Sequence, residues 1–87
     1  MDEDQGGVVA NFYAKVGVAA IKVTSGSIKK GDLLHYKGHT TDFTAEVTSM
    51  EIERQPVEEA QAGDLVGVQV KERVRKKDKV YKVVERP

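Results

Sequence analysis

A chain of 87 residues and 9.6 kDa is one domain at most, with little room for an enzyme pocket of the usual depth. Zero formal net charge, 39% apolar and 32% charged residues exclude a disordered acidic or basic tail, and the absence of cysteine excludes disulfides, iron–sulfur clusters, cysteine-ligated zinc and thiol nucleophiles. No apolar run reaches the ~18 residues that span a membrane, and the acidic start Met1-Asp2-Glu3-Asp4 lacks the basic region of a signal peptide, so a soluble cytoplasmic module is expected.

Residues 1–6 read as a flexible acidic lead-in, 7–85 as a single domain and 86–87 as its end. From Val8 onward the apolar pattern has period two, which marks half-buried strands. Val8, Ala10, Phe12 and Ala14 share one face. The phase then slips near Val18-Ala19 to Ala19, Ile21 and Val23, which calls for a bulge or bend. Ser25-Gly26 and Lys30-Gly31-Asp32 are turns. Leu34 and Tyr36 alternate around His35, and Lys37-Gly38-His39 turns again. Phe43, Ala45 and Val47 lead to a second slip near Thr48-Ser49, after which Met50 and Ile52 carry the face. Pro56 to Ala62 is the one stretch that could be helical, with proline at its start and Gly63 as its cap. Val66, Val68 and Val70 form the most apolar strand, and Val80 and Val84 flank Lys82 in the last. About six short strands with regular turns predict an all-β closed barrel or small sandwich.

Charge is segregated along the chain. Residues 42–64 hold seven acids and one base, for −6, and residues 71–82 hold seven bases and two acids, for +5. Such a dipole can be oriented by a charged partner. Phosphate-binding glycine loops are absent, and Gly31-Asp32 and Gly63-Asp64 are turn chemistry. His35 and His39 fall on a strand and in the following turn, outside any HExxH frame, so no metal is expected. Glu51 and Glu53 share a strand face opposite Met50 and Ile52, which reads as a solvated acidic face rather than an acid–base pair. No GxSxG marks a nucleophile. The run Arg73, Arg75, Lys76, Lys77 and Lys79 could neutralise several phosphates, or could be a solvated hairpin turn that discourages edge pairing. Tyr81 is the one aromatic residue close to it in sequence.

Three segments together resemble the second domain of translational GTPases, the elongation factor Tu-like β-barrel. Val16 to Asp32 is similar to its opening strand, glycine turn and hydrophobic-x-x-Gly-Asp corner, here Ile28-Lys29-Lys30-Gly31-Asp32. Thr44 to Arg54 fits the strand carrying Val-x-x-hydrophobic-Glu, and Ala60-Gln61-Ala62-Gly63-Asp64-Leu65-Val66-Gly67-Val68 resembles Ala-Gly-Asp-x-Val-Gly. The likeness runs from about Val8 to Val84 and implies a closed six-stranded antiparallel barrel. It implies that Ile28 plugs the barrel end and that Gly67 admits a close backbone neighbour. It also places Glu51 and Glu59 at the family's positions for the tRNA end. Glu53 stands where the family has a stacking phenylalanine and Gln61 where it has an arginine, changes that oppose nucleic acid on that face. No GTPase domain accompanies these segments in the sequence, and similar barrels occur as accessory modules at the C-termini of collagenase-like peptidases.

The sequence thus points to a translation-factor-like binding module without catalysis of its own. Its expected partners are tRNA or ribosomal RNA, contacted by Arg73, Arg75, Lys76, Lys77 and Lys79. The alternative is a protein-interaction barrel that docks on a separate enzyme, such as a collagenase-like peptidase, or on a GTPase through Glu46, Glu51, Glu53 and Glu59. No cofactor, metal, membrane or small-molecule substrate is expected.

Overall fold

Alternating β-branched and polar residues become strand throughout the computed structural model, which describes residues 2–84 and has no helix among them. In chain order the strands are β1 (Asp2–Tyr13), β2 (Val18–Val23), β3 (Ser27–Lys29), β4 (Leu33–Lys37), β5 (Asp42–Glu46), β6 (Met50–Ile52), β7 (Gln55–Pro56), β8 (Glu59–Gln61), β9 (Leu65–Gln69) and β10 (Lys79–Val84). Six of these have five residues or more, and β3, β6, β7 and β8 have two or three. All pairings are antiparallel. Eight strands form one sheet in the order β5-β4-β10-β1-β2-β9-β6-β7, and β3 and β8 form a separate ribbon.

The expected all-β antiparallel architecture is therefore present, while closure into a six-stranded barrel is not seen among the described residues. Among the described residues the sheet ends at β5 on one side and β7 on the other, with no ladder joining them. Residues 47–49 nonetheless carry the chain from β5 at one edge to β6 beside the other. So short a link requires the sheet to curl until its edges approach. The break lies at the expected slip, Thr48-Ser49, and it is anchored by Val47, which donates to Asp32 O (2.8 Å) and accepts from Gly31 N–H (2.8 Å).

Inside the curl, Ala19, Ile21 and Val23 of β2 meet Val66 and Val68 of β9, Leu34 and Tyr36 of β4, and Val80 of β10 in a single core. The Tyr36 and Phe43 rings stack at 4.9 Å. Ile28 of the ribbon is fully buried in this core, and Val74 enters it from the segment between β9 and β10.

The first strand departs from its simple alternation. Val9 is buried and Ala10 exposed, because β1 carries register shifts between Gln5 and Gly7 and between Val9 and Asn11. The second shift absorbs the slip that the sequence assigns to Val18-Ala19: the extra residue is Ala10 on β1, while β2 runs unbroken with Val18 and Ala20 on its outer face. Gly7 sits inside this irregular stretch for a steric reason, since a Cβ there would lie 2.7 Å from Lys22 O and 2.9 Å from Ile21 Cγ2. Residues Asp2 to Gly6, expected to be a flexible lead-in, belong to β1, with Asp2 to Gln5 paired to Val84 to Tyr81 of β10. Pro56 to Ala62 is not helical: Pro56 ends the β6–β7 hairpin, and β8 pairs with β3. The expectations for residues 85–87 lie outside the described residues.

Candidate functional site

The outward positions of β2 and β9 should be polar if both strands faced water. Instead Val18 and Ala20 of β2, with Leu65 of β9, line a groove of ≈ 520 Å³ together with Tyr13 at the end of β1 and Val16 of the β1–β2 turn. Tyr13, Val16 and Leu65 are 51%, 61% and 52% exposed, the large apolar side chains most open to water among the described residues. Gly67 lines the same groove, where a Cβ would approach Val18 Cγ1 to 3.2 Å; its close neighbour is a side chain rather than the backbone expected from sequence. The signal was present in part in the sequence: the outer phase of β2 holds Val18 and Ala20 before Lys22, that of β9 holds Leu65 before Gly67 and Gln69, and the other phase of each already fills the core.

The polar side of this groove is the β6–β7 hairpin. Glu51, Glu53 and Arg54 line it. Glu53 and Arg54 form the two-residue turn, both with positive φ (51° and 66°), the geometry usually given to Asn-Gly. Each bulky residue held there costs on the order of 1–2 kcal/mol. Of the proposed acidic docking residues, only Glu51 and Glu53 reach this groove. Glu46 lines another hollow with Thr44, Thr48, Gln69 and Lys71, and Glu59 lies on the ribbon opposite Lys29. The two positions implied for a tRNA end, Glu51 and Glu59, are likewise divided between the groove and the ribbon.

His35 forms a second polar cluster, across four adjacent strands. Its Nδ1 lies 2.8 Å from Glu3 Oε2 of β1 and its Nε2 2.5 Å from Asp42 Oδ1 of β5, while its ring lies 6.2 Å from that of Tyr81 on β10. Both nitrogens can donate only as imidazolium. Accordingly Asp42, then Glu3, holds the imidazole pKa above its usual 6.5, and His35 in turn holds Asp42 below its usual 3.8. A raised histidine pKa stabilises the fold fully below pH 6.5, and the contribution is lost as pH rises through the folded value. A lowered aspartate pKa stabilises it above 3.8 and is lost on acidification. Stability measured by urea unfolding is expected to be flat between these limits and to decline on both sides. His35→Gln should remove the alkaline decline; a decline that survives in that variant would assign it to another group.

The cations singled out from sequence, Arg73, Arg75, Lys76, Lys77 and Lys79, are all exposed. They do not sit on a hairpin turn. The sheet places β2 and β1 between β9 and β10, so the chain between them crosses the sheet end. No helix among the described residues is long and apolar enough to cross a membrane, and no group of three or more His, Asp or Glu side chains among them is placed to hold a metal.

Comparison with known proteins adds to this geometry. Residues 17–76 match the model of the family described as elongation factor Tu domain 2. The chain is 42% identical over 80 residues to an uncharacterized protease of Methanocaldococcus jannaschii, covering 91% of this chain and 19% of that protein. It is 34% identical over 76 residues to a collagenase of Porphyromonas gingivalis, covering 86% of this chain and 21% of the collagenase. The chain thus spans about a fifth of the length of the curated relatives it matches. Its fold is similar to the crystal structure of the C-terminal domain of a Geobacillus thermoleovorans protein described as a U32 peptidase, with a TM-score of 0.85, 18% identity and 93% of each chain covered.

Proposed function

This chain belongs to the elongation factor Tu domain 2 family, and we propose that it is a non-catalytic accessory domain that docks its outer apolar groove on a catalytic domain of the collagenase-like U32 peptidase kind. The observation that carries this reading is the trio Tyr13, Val16 and Leu65, each about half exposed or more around one groove. Clustered apolar surface of this sort marks an interaction site. The relatives support the choice of occupant, because proteins named protease and collagenase carry a matching stretch as about a fifth of their length. The left-handed Glu53-Arg54 turn supports the same site, since backbone strain persists where side chains are used. An RNA end fits the groove less well, because Glu51 and Glu53 repel phosphate.

The test is calorimetric titration of this chain into the M. jannaschii relative from which the matching fifth has been deleted. Binding at micromolar affinity or better is expected, and Leu65→Asp should weaken it by a factor of about 30 or more, the loss of one interface hot spot. Glu53→Asn/Arg54→Gly should raise stability by about 1–2 kcal/mol by relaxing the turn, yet weaken docking. No binding, or binding indifferent to Leu65→Asp, overturns the reading.

A further inference from the structure

The basic segment between β9 and β10 takes no part in the groove, and its construction is unlike that of a loose charged loop. Val74 is buried in the core, 1% exposed. Asp78, 5% exposed, turns its carboxylate inward, where Oδ2 accepts from Arg75 N–H (2.8 Å). The backbone is tied to β1 in both directions: Lys77 N–H donates to Val9 O and Val9 N–H to Asp78 O, each at 2.8 Å. Lys77 is held at φ 74°, a conformation that lysine resists. The Asp78 carboxylate also packs on Gly38, which brings the β4–β5 turn against the segment. In the β4–β10 ladder Lys37 stands directly opposite Lys79, a repulsive cross-strand pair. Among the described residues none of Lys37, Arg73, Arg75, Lys76, Lys77 and Lys79 forms an ion pair. Asp42, the acid paired in register with Lys37, is hydrogen-bonded by His35 and attracts Lys37 through space without forming an ion pair with it, and Glu72 is the one exposed acid in residues 71–79.

We propose that this segment, with Lys79 at the start of β10 and Lys37 at the end of β4, forms a preformed platform for the phosphodiester backbone of a nucleic acid. Unpaired cations on a fixed backbone gain from a polyanion without the cost of ordering a loop. A protein partner is the poorer match, because the segment's two valines, Val70 and Val74, are both buried, and lysine is depleted at protein interface cores. Base recognition is not provided for: the nearby ring, Tyr81, is half-buried beside His35, so phosphate is the group read.

Fluorescence anisotropy with a labelled single-stranded RNA and a labelled DNA duplex, across a potassium chloride series, tests this. Four to five phosphate contacts give a slope of log K against log salt of about −4 for the duplex and about −3 for the single strand. Arg75→Gln/Lys76→Gln should make the duplex slope shallower by about 1.8, and Lys37→Gln alone by about 0.9. Lys37 is decisive because it is remote in sequence, so a merely basic run would not need it. Lys37→Gln removes both the repulsion with Lys79 and the attraction to Asp42, which oppose each other, and its melting temperature is measured alongside so that a lost contact is not confused with unfolding. Lys22→Gln, on β2, should leave the slope unchanged. Tighter binding of one probe identifies whether RNA or DNA is the source of the phosphates. A slope unaffected by Lys37→Gln, absence of binding to both probes, or preference for vesicles of phosphatidylglycerol at equal phosphate concentration overturns the proposal.

Discussion

Asp78→Ala and Gly38→Ala are each expected to destabilise the fold by about 1–3 kcal/mol, and the double variant by clearly less than their sum. The first loss follows from the Arg75 N–H, which gives up its carboxylate acceptor at 2.8 Å, and from the gap left where a 5% exposed side chain was packed. The second has a different cause. A Cβ on Gly38 would run into the Asp78 carboxylate itself, and Gly38 has an ordinary negative φ, so alanine is excluded by space rather than by backbone conformation. Once Asp78 is truncated, that space is free and the alanine methyl occupies it. The coupling should therefore reach at least about 1 kcal/mol, well outside the ~0.3–0.5 kcal/mol scatter of independent sites. Urea unfolding of the two single variants and the double variant measures it. Additive losses would mean that the contact does not set the position of the β4–β5 turn. The same cycle bears on the cationic platform, since this contact is what brings Lys37 beside the segment that holds Lys76 and Lys77.

The strands were readable from sequence where one phase was apolar and the other polar. Leu34 and Tyr36 around His35, and Val66, Val68 and Val70 around Gly67 and Gln69, occupy the core as the alternation predicts. Reading failed where a residue was inserted on the partner strand. The shift at Ala10 reverses the phase of β1, and nothing in Val8 to Phe12 distinguishes Val9 from its neighbours as the inward residue. The Pro56–Ala62 stretch carried local signals for a short helix, but the hairpin with β6 took Pro56 and the non-local pairing with β3 took Glu59 to Gln61. The groove was half legible. Glu51 faces outward on β6 as period two requires, but Glu53 reaches the groove from the turn and not from the expected strand face, and the apolar half was mistaken for a slip of the core face at Val18. The His35 cluster needs β1, β10, β4 and β5 in that adjacency, and Glu3 and Asp42 are far from His35 in any local pattern. Likewise, the packing of Gly38 on Asp78 joins residues that no spacing rule connects.

Ile28→Ala should cost the most of any single truncation outside the main sheet, about 2–5 kcal/mol, against about 0.5–1.5 kcal/mol for Ile28→Val. The β3–β8 ribbon has three paired positions, and only one of them, Ile28 opposite Ala60, is buried on both strands. Lys29, Glu59 and Gln61 are exposed, so the ribbon has no other large apolar anchor. Its backbone holds neighbouring parts in place: Lys30 N–H donates to Glu58 O (3.1 Å), Ala62 N–H to Gly26 O (3.0 Å), and Gly31 N–H to Val47 O at the break between β5 and β6. Because no ladder closes the sheet among the described residues, the core there depends on side chains from the ribbon and on the Val47 crossing. Losing the Ile28 side chain leaves a cavity at a place where no continuous ladder resists opening. Hydrogen exchange should therefore show the amides of Lys30, Gly31 and Ala62 losing protection before those of β1, β2 and β9 as denaturant is raised. Val16→Ala, on a side chain 61% exposed, should change stability by no more than about 0.5 kcal/mol and serves as the comparison. A cost for Ile28→Ala below about 1 kcal/mol would show that the ribbon is not fastened through this residue. Uniform loss of protection across all strands would show that it does not open as a separate unit.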